Sequence, residues 1–158
     1  MTRLGHGGLA VTALPLLIFN PRLRSLLAEM RTFCRSLPVL LKEPLLQMLS
    51  KLSADASSKP LDSLAESTVR AFADLAALFE RRSPLGLCLR RSLTRYYFLR
   101  RIGVPVVLQF GAKFVTAKPD REVTGHAWLT LNGQPYYEAA ENFKGFTVMF
   151  SFPKDTTL

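Results

Sequence analysis

An α+β fold, with helices first and an antiparallel sheet after, is predicted by three observations. Apolar residues recur at helical spacing before about residue 84, and they alternate at strand spacing after residue 103. Between two of the later apolar runs stands Asn132-Gly133, a pair that favours a hairpin turn. Length and composition agree with a folded unit: 158 residues, 48% apolar and 21% charged, exclude a disordered chain and suffice for one core without disulfides or a structural metal.

The elements follow in order. Residues 8–19 are apolar, but they are shorter than the ~20 residues a membrane helix needs, Pro15 interrupts them, and Asn20-Pro21-Arg22 follows where a signal peptide would have small residues. They are expected to pack in the core or to face a partner. Helices are expected over residues 22–33 (Leu23, Leu26, Leu27, Met30) and 39–52 (Leu41, Leu45, Met48, Leu49, Leu52), broken by Pro38 and Pro44, with Pro44 near a helix start. Residues 54–60 are polar and are expected to link to a third helix over 61–79, whose Leu64, Thr68, Phe72, Leu75 and Phe79 keep an i, i+3, i+4 pattern. Ser83-Pro84-Leu85-Gly86 breaks the chain, and a fourth helix is expected from Cys88 to Ile102, stopped by Gly103 and Pro105. Strands are expected over residues 106–114, 126–131, 135–138 and 146–152, with a polar loop over 116–122. The helical region of residues 1–83 and the region of residues 84–158 are expected to form one compact unit.

Net charge is +9, and Arg81, Arg82, Arg90, Arg91, Arg95, Arg100 and Arg101 fall close together. Such a patch suits a solvated helix face or an acidic partner. No RNP motif, zinc finger or long aromatic-interleaved basic tract accompanies it, so nucleic acid is not the expected partner. The two cysteines, Cys34 and Cys88, lack CxxC spacing and a histidine at ligand distance in sequence, so neither a metal nor a redox cofactor is called for, and a reducing, cytoplasmic compartment fits.

Three side chains carry candidate chemistry. Cys88 opens a helix, where unpaired amides and the positive dipole end favour a thiolate, and Arg90, Arg91 and Arg95 add positive charge. Cys34, beside Phe33 and Leu37, reads as a small core residue. His126 is the one histidine outside the N-terminal tail and alone can partner a cysteine nucleophile. The third group depends on the turn. A three-residue loop Leu131-Asn132-Gly133 pairs His126 with Glu138, so that a carboxylate stands beside the imidazole; a two-residue loop puts Glu138 opposite Ala127, on the other face. Glu141 and Asn142 are the alternatives. Alternation puts Trp128 on the His126 face, where it would wall the site. The backbone amide of Cys88 is the favoured oxyanion donor over Gln109.

Cys88-Leu-Arg-Arg-Ser92, Tyr97-Phe-Leu-Arg-Arg-Ile-Gly103-Val-Pro, Phe110-Gly111 and Gly125-His-Ala-Trp128 resemble the transglutaminase-like cysteine peptidases of lasso-peptide biosynthesis, the leader-cleaving B2 proteins. The likeness spans roughly residues 84–152. It implies a papain/transglutaminase-like core, a nucleophile helix packed on an antiparallel sheet, and a Cys-His-Asp triad. Cys88 and His126 map onto the first two members, and the third maps onto Glu138, where the family commonly carries Asp. The helical N-terminal half is similar to that of the stand-alone members, which implies a separate small leader-recognition protein and a cyclase as partners.

The expected function is therefore cleavage of a ribosomally made precursor peptide by Cys88, His126 and Glu138, with Arg90, Arg91 and Trp128 binding substrate and the arginine-rich helix attracting an acidic leader. An acyltransferase with the same triad and a non-catalytic peptide- or nucleic-acid-binding scaffold are the rivals. No P-loop is present to signal nucleotide use.

Overall fold

The computed structural model describes residues 20–61, 64–115 and 122–154. The expected N-terminal apolar segment, His6 and most of the polar loop of residues 116–122 lie outside them.

Helix α1 spans Pro21–Leu40. It starts where it does because Asn20 caps it: the side-chain oxygen accepts from the amides of Arg22 and Leu23 at 3.0 and 3.3 Å, and Pro21 has no amide to leave unpaired. The expected break at Pro38 does not occur. Pro38 lies inside the last turn, so it forfeits one bond to Cys34 without ending the helix, and the amide of Leu41 still reaches the carbonyl of Leu37. Helix α2, Leu45–Ser58, begins directly after Pro44 and runs through the stretch expected to be a linker. Ala56 in that stretch is buried against the core, which outweighs the weak helix preference of its polar neighbours. Helix α3 covers Glu66–Phe79, starting later than its apolar pattern.

Helix α4, Leu87–Arg101, follows the Ser83–Gly86 break as expected. Gly103, at φ +81°, closes its C-terminus: its amide and that of Val104 bond back to the carbonyls of Arg100 and Leu99. Strands β1 (Val107–Phe114) and β2 (Val123–Leu131) pair antiparallel. The two-residue β3 (Gln134–Pro135), a short helix α5 (Ala140–Phe143) and β4 (Thr147–Phe152) follow. The sheet order is β3-β2-β1-β4.

One apolar core spans both halves of the chain, from Leu23 to Tyr136, with Tyr96, Phe98 and Leu99 of α4 at its centre. Helix α4 packs against α3, α2 and α1 and also against β2 and β1. This central position explains its arginines. Arg90 donates to the carbonyl of Glu80, Arg95 makes a two-pronged pair with Asp74 at 2.5 Å, and Arg101 bonds Glu29 and the carbonyl of Lys59. All three are buried. The expected basic face of α4 is therefore largely internal, its charges spent on joining α4 to α1, α2 and α3.

Candidate active site

Cys88 is the second residue of α4. Gly86, which precedes the helix, offers no side-chain cap, so the first-turn amides keep their positive ends free beside the thiol. His126 lies on β2 opposite Gly111 of β1, and the pairing Gln109 with Trp128 puts all four residues on one face of the sheet.

The thiol and the imidazole interact, and the two pKa values move toward an ion pair. The hydrogen bond with His126 holds the Cys88 thiol below its ordinary value; burial opposes this, and the amides of Ala127 and Leu89 assist. His126 is pushed up to about 9, first by Cys88 and then by Glu138, against the effect of burial.

Glu138 stands on the other side of the ring, its Oε1 3.5 Å from His126 Nε2. That is an ion-pair separation, longer than a well-formed hydrogen bond, and Nε2 is otherwise buried without a partner. With Nε2 turned to Glu138, Nδ1 is left for the thiol. The Glu138 side chain is only 2% exposed. Burial is the largest influence on its carboxyl and raises the pKa, but His126, Arg91 and Asn142 together outweigh it and hold the group below the usual carboxylate range.

Glu138 reaches this position by a route the strand arithmetic did not contain. Asn132 and Gly133, at φ 51° and 74°, make a two-residue turn, with Leu131 opposite Gln134 and Thr130 opposite Pro135. Of the two turns weighed above, the two-residue one forms. In a continued strand this register would carry Glu138 to the wrong face. The strand instead stops at Pro135, and Tyr137 takes a left-handed backbone at φ 47°, which redirects the chain and returns Glu138 to the imidazole.

The three side chains expected to contact substrate are all engaged within the protein. Arg90 is buried and donates to the Glu80 carbonyl at 2.6 Å. Arg91 donates from Nη2 to Glu138 Oε2 at 2.6 Å, so it holds the carboxylate. Trp128 is on the His126 face as expected, stacks on the imidazole with centroids 5.8 Å apart and 17° between planes, and is 3% exposed. Phe146 packs against both rings, at 5.4 and 6.4 Å.

Asn142, an alternative third member in the sequence, donates to Glu138 Oε1 at 2.6 Å and so holds the residue it was weighed against. The Arg91 contact was also findable: Arg91 follows Cys88 by three, which puts both on one side of α4. Cys34 is fully buried against Thr94, as expected of a core thiol, and burial raises its pKa.

A cleft of about 450 Å³ opens over the pair, lined by Cys88, His126, Leu89, Phe110, Gly111 and Met149 among others. Gln109 is not part of that lining, although it shares the sheet face of His126. Among the described residues no cluster of histidine, cysteine and carboxylate side chains is arranged to hold a metal ion, and no helix is long and apolar enough to cross a membrane.

A cysteine at a helix start, a histidine on the adjoining sheet and a carboxylate behind the histidine define the class of thiol peptidases and acyltransferases. The sequence model of the transglutaminase-like superfamily matches residues 27–151, and the chain belongs to that superfamily. Among curated proteins and among solved structures, none matches the chain significantly. The matched span includes α2, α3 and all but the first turns of α1, so the family domain extends well beyond the region that carries the nucleophile.

Proposed function

We propose that the protein is a cysteine peptidase that removes the leader from a ribosomally made precursor peptide of the lasso type. The observation that carries this reading is the Cys88-His126-Glu138 series, buried on the Glu138 side and open to a cleft on the Cys88 side. The likeness of Cys88-Leu-Arg-Arg-Ser92 and Gly125-His-Ala-Trp128 to the lasso leader peptidases supports the substrate class.

In the proposed reaction the Cys88 thiolate attacks the scissile carbonyl, and the resulting oxyanion is met by the free amide of Cys88 at the helix start. The His126 imidazolium gives its proton to the leaving amine. The neutral ring then takes a proton from water, whose hydroxide attacks the thioester, and release of the free acid returns the thiolate and the imidazolium. Glu138 fixes the ring through Nε2 and favours its charged form, Arg91 and Asn142 fix Glu138, and Trp128 covers one face of the ring. A separate leader-recognition protein and a cyclase complete the proposed maturation in the cytoplasm, where free Cys34 and Cys88 stay reduced.

The test is a mass-resolved digest of a synthetic peptide library with added ethylamine. The proposal expects fragment pairs with a free carboxyl terminus that vanish in Cys88→Ala. Ethylamides in place of free acids would make the protein an acyltransferase, and an uncut library with a reactive Cys88 would confine it to a substrate outside the library's chemistry.

A further inference from the structure

A second cavity, of about 750 Å³, adjoins the catalytic cleft, and Ala112 and Met149 line both. Their common wall is built by an irregularity in the sheet. Phe110 pairs with Phe150, but Gly111 pairs with Val148, so Met149 is the extra residue of a β-bulge in β4. Bulges re-aim side chains, and this one leaves Met149 71% exposed at the junction of the two cavities.

Beyond the junction the groove is apolar with two cations. Phe114 and Val123, paired across β1 and β2, line it side by side and are 71% and 55% exposed. Lys113 and Lys144 stand on its sides. The Lys113 ammonium sits 4.4 Å from the centre of the Phe146 ring, the same ring that packs against His126. Among the described residues neither lysine is ion-paired, whereas Arg31, Arg35, Arg91, Arg95 and Arg101 are.

From this continuity we infer that the two cavities form one track, and that the outer groove holds an extended segment of the substrate peptide next to the scissile bond, with apolar side chains on Met149, Phe114 and Val123 and carboxylates at Lys113 and Lys144. The inference rests on the peptidase reading and adds its specificity. It also relocates the acid-attracting charge, from the buried arginines of α4 to the two groove lysines. An extended chain presents side chains alternately, so an alternating apolar and acidic sequence is the matching occupant.

Protection of Cys88 from iodoacetamide tests this without needing turnover. Full-length protein is labelled with and without acetyl-(Glu-Leu)3-amide or acetyl-(Lys-Leu)3-amide, and each variant is referred to its own rate without peptide. The acidic peptide is expected to slow labelling of Cys88 about threefold or more, and the basic peptide not at all. Lys113→Glu with Lys144→Glu is expected to reverse that preference, and Met149→Asp to weaken protection by the acidic peptide. Equal protection by both peptides, protection by neither, or a preference unchanged by charge reversal overturns the groove assignment. A rate that falls with protein concentration alone overturns it in favour of a second copy of the chain. Failure of the peptidase reading looks different, because Cys88 would then label as an ordinary thiol with no peptide present.

Discussion

Replacing Glu138 by glutamine removes a charge 3.5 Å from His126 Nε2 while keeping one carbonyl oxygen, enough for either Arg91 or Asn142, which donate to different oxygens of the carboxylate. At that separation the attraction between imidazolium and carboxylate is about 1 kcal/mol in a water-like medium and about 5 kcal/mol at an effective dielectric of about 20. The Glu138 side chain is 2% exposed and that of His126 13%, which argues against the water-like limit. Arg91 and Asn142, each 2.6 Å away, already share the carboxylate and argue against the upper one. A loss of about 1.5–3 kcal/mol follows, or about 1–2 pKa units at 1.36 kcal/mol per unit. Loss of an anion disfavours the charged ring, so the sign is downward from about 9. His126 stays above its ordinary 6.5, because Cys88 is the larger cause of the rise. The chain has only two histidines, so imidazole NMR with His6→Ala for assignment reads the titration directly. An unchanged or higher pKa in Glu138→Gln, or a smaller fall in Cys88→Ala than in Glu138→Gln, would refute the ordering of the triad.

Other consequences are open to measurement. Peptide cleavage is expected to lose its alkaline limb near pH 9 as His126 deprotonates, and its acid limb below the ordinary thiol range as Cys88 protonates, giving a bell in kcat/KM against pH. Arg91→Met leaves the Glu138 carboxylate without its cation and is expected to cost about 1–3 kcal/mol in urea unfolding, less than a fully buried pair because Arg91 is 21% exposed. Asp74→Ala strands the buried Arg95 guanidinium and is expected to cost about 3–5 kcal/mol by the same assay. Gly111→Ala places a Cβ 2.7 Å from the Trp128 ring and 3.0 Å from the Thr147 carbonyl; displacement of Trp128 is expected to change its fluorescence and cost about 1–3 kcal/mol.

Much of this arrangement was legible in the chain. The third helix announced itself through its 3.6-residue apolar spacing, and α4 through the break at Ser83–Gly86 and the stop at Gly103, which takes a left-handed backbone. Proline was the misleading signal. Pro38 reads as a breaker, but in a last helical turn it costs one hydrogen bond, and the buried Leu37 on one side of it keeps the turn in place. Residues 54–58 look like a linker because polarity is visible locally, whereas the packing of Ala56 is not.

At the site, Cys88 and His126 were recoverable from position and scarcity. Glu138 stayed conditional on the turn, and neither register contained its actual route, since nothing local shows that Tyr137 will leave the strand. The arginines of α4 misled for a related reason: a run of cations looks like a surface until the carboxylates and carbonyls of three other helices are brought against it.

The central claim is a thiolate-imidazolium pair at the start of α4. It is tested most directly by the pH dependence of iodoacetamide labelling, with Cys88 and Cys34 read separately by peptide mass. In the wild type Cys88 should label well below the ordinary thiol pKa of ~8.5, His126→Ala should remove that advantage, and fully buried Cys34 should stay unlabelled in both. A Cys88 that titrates as an ordinary thiol, with or without His126, would contradict it.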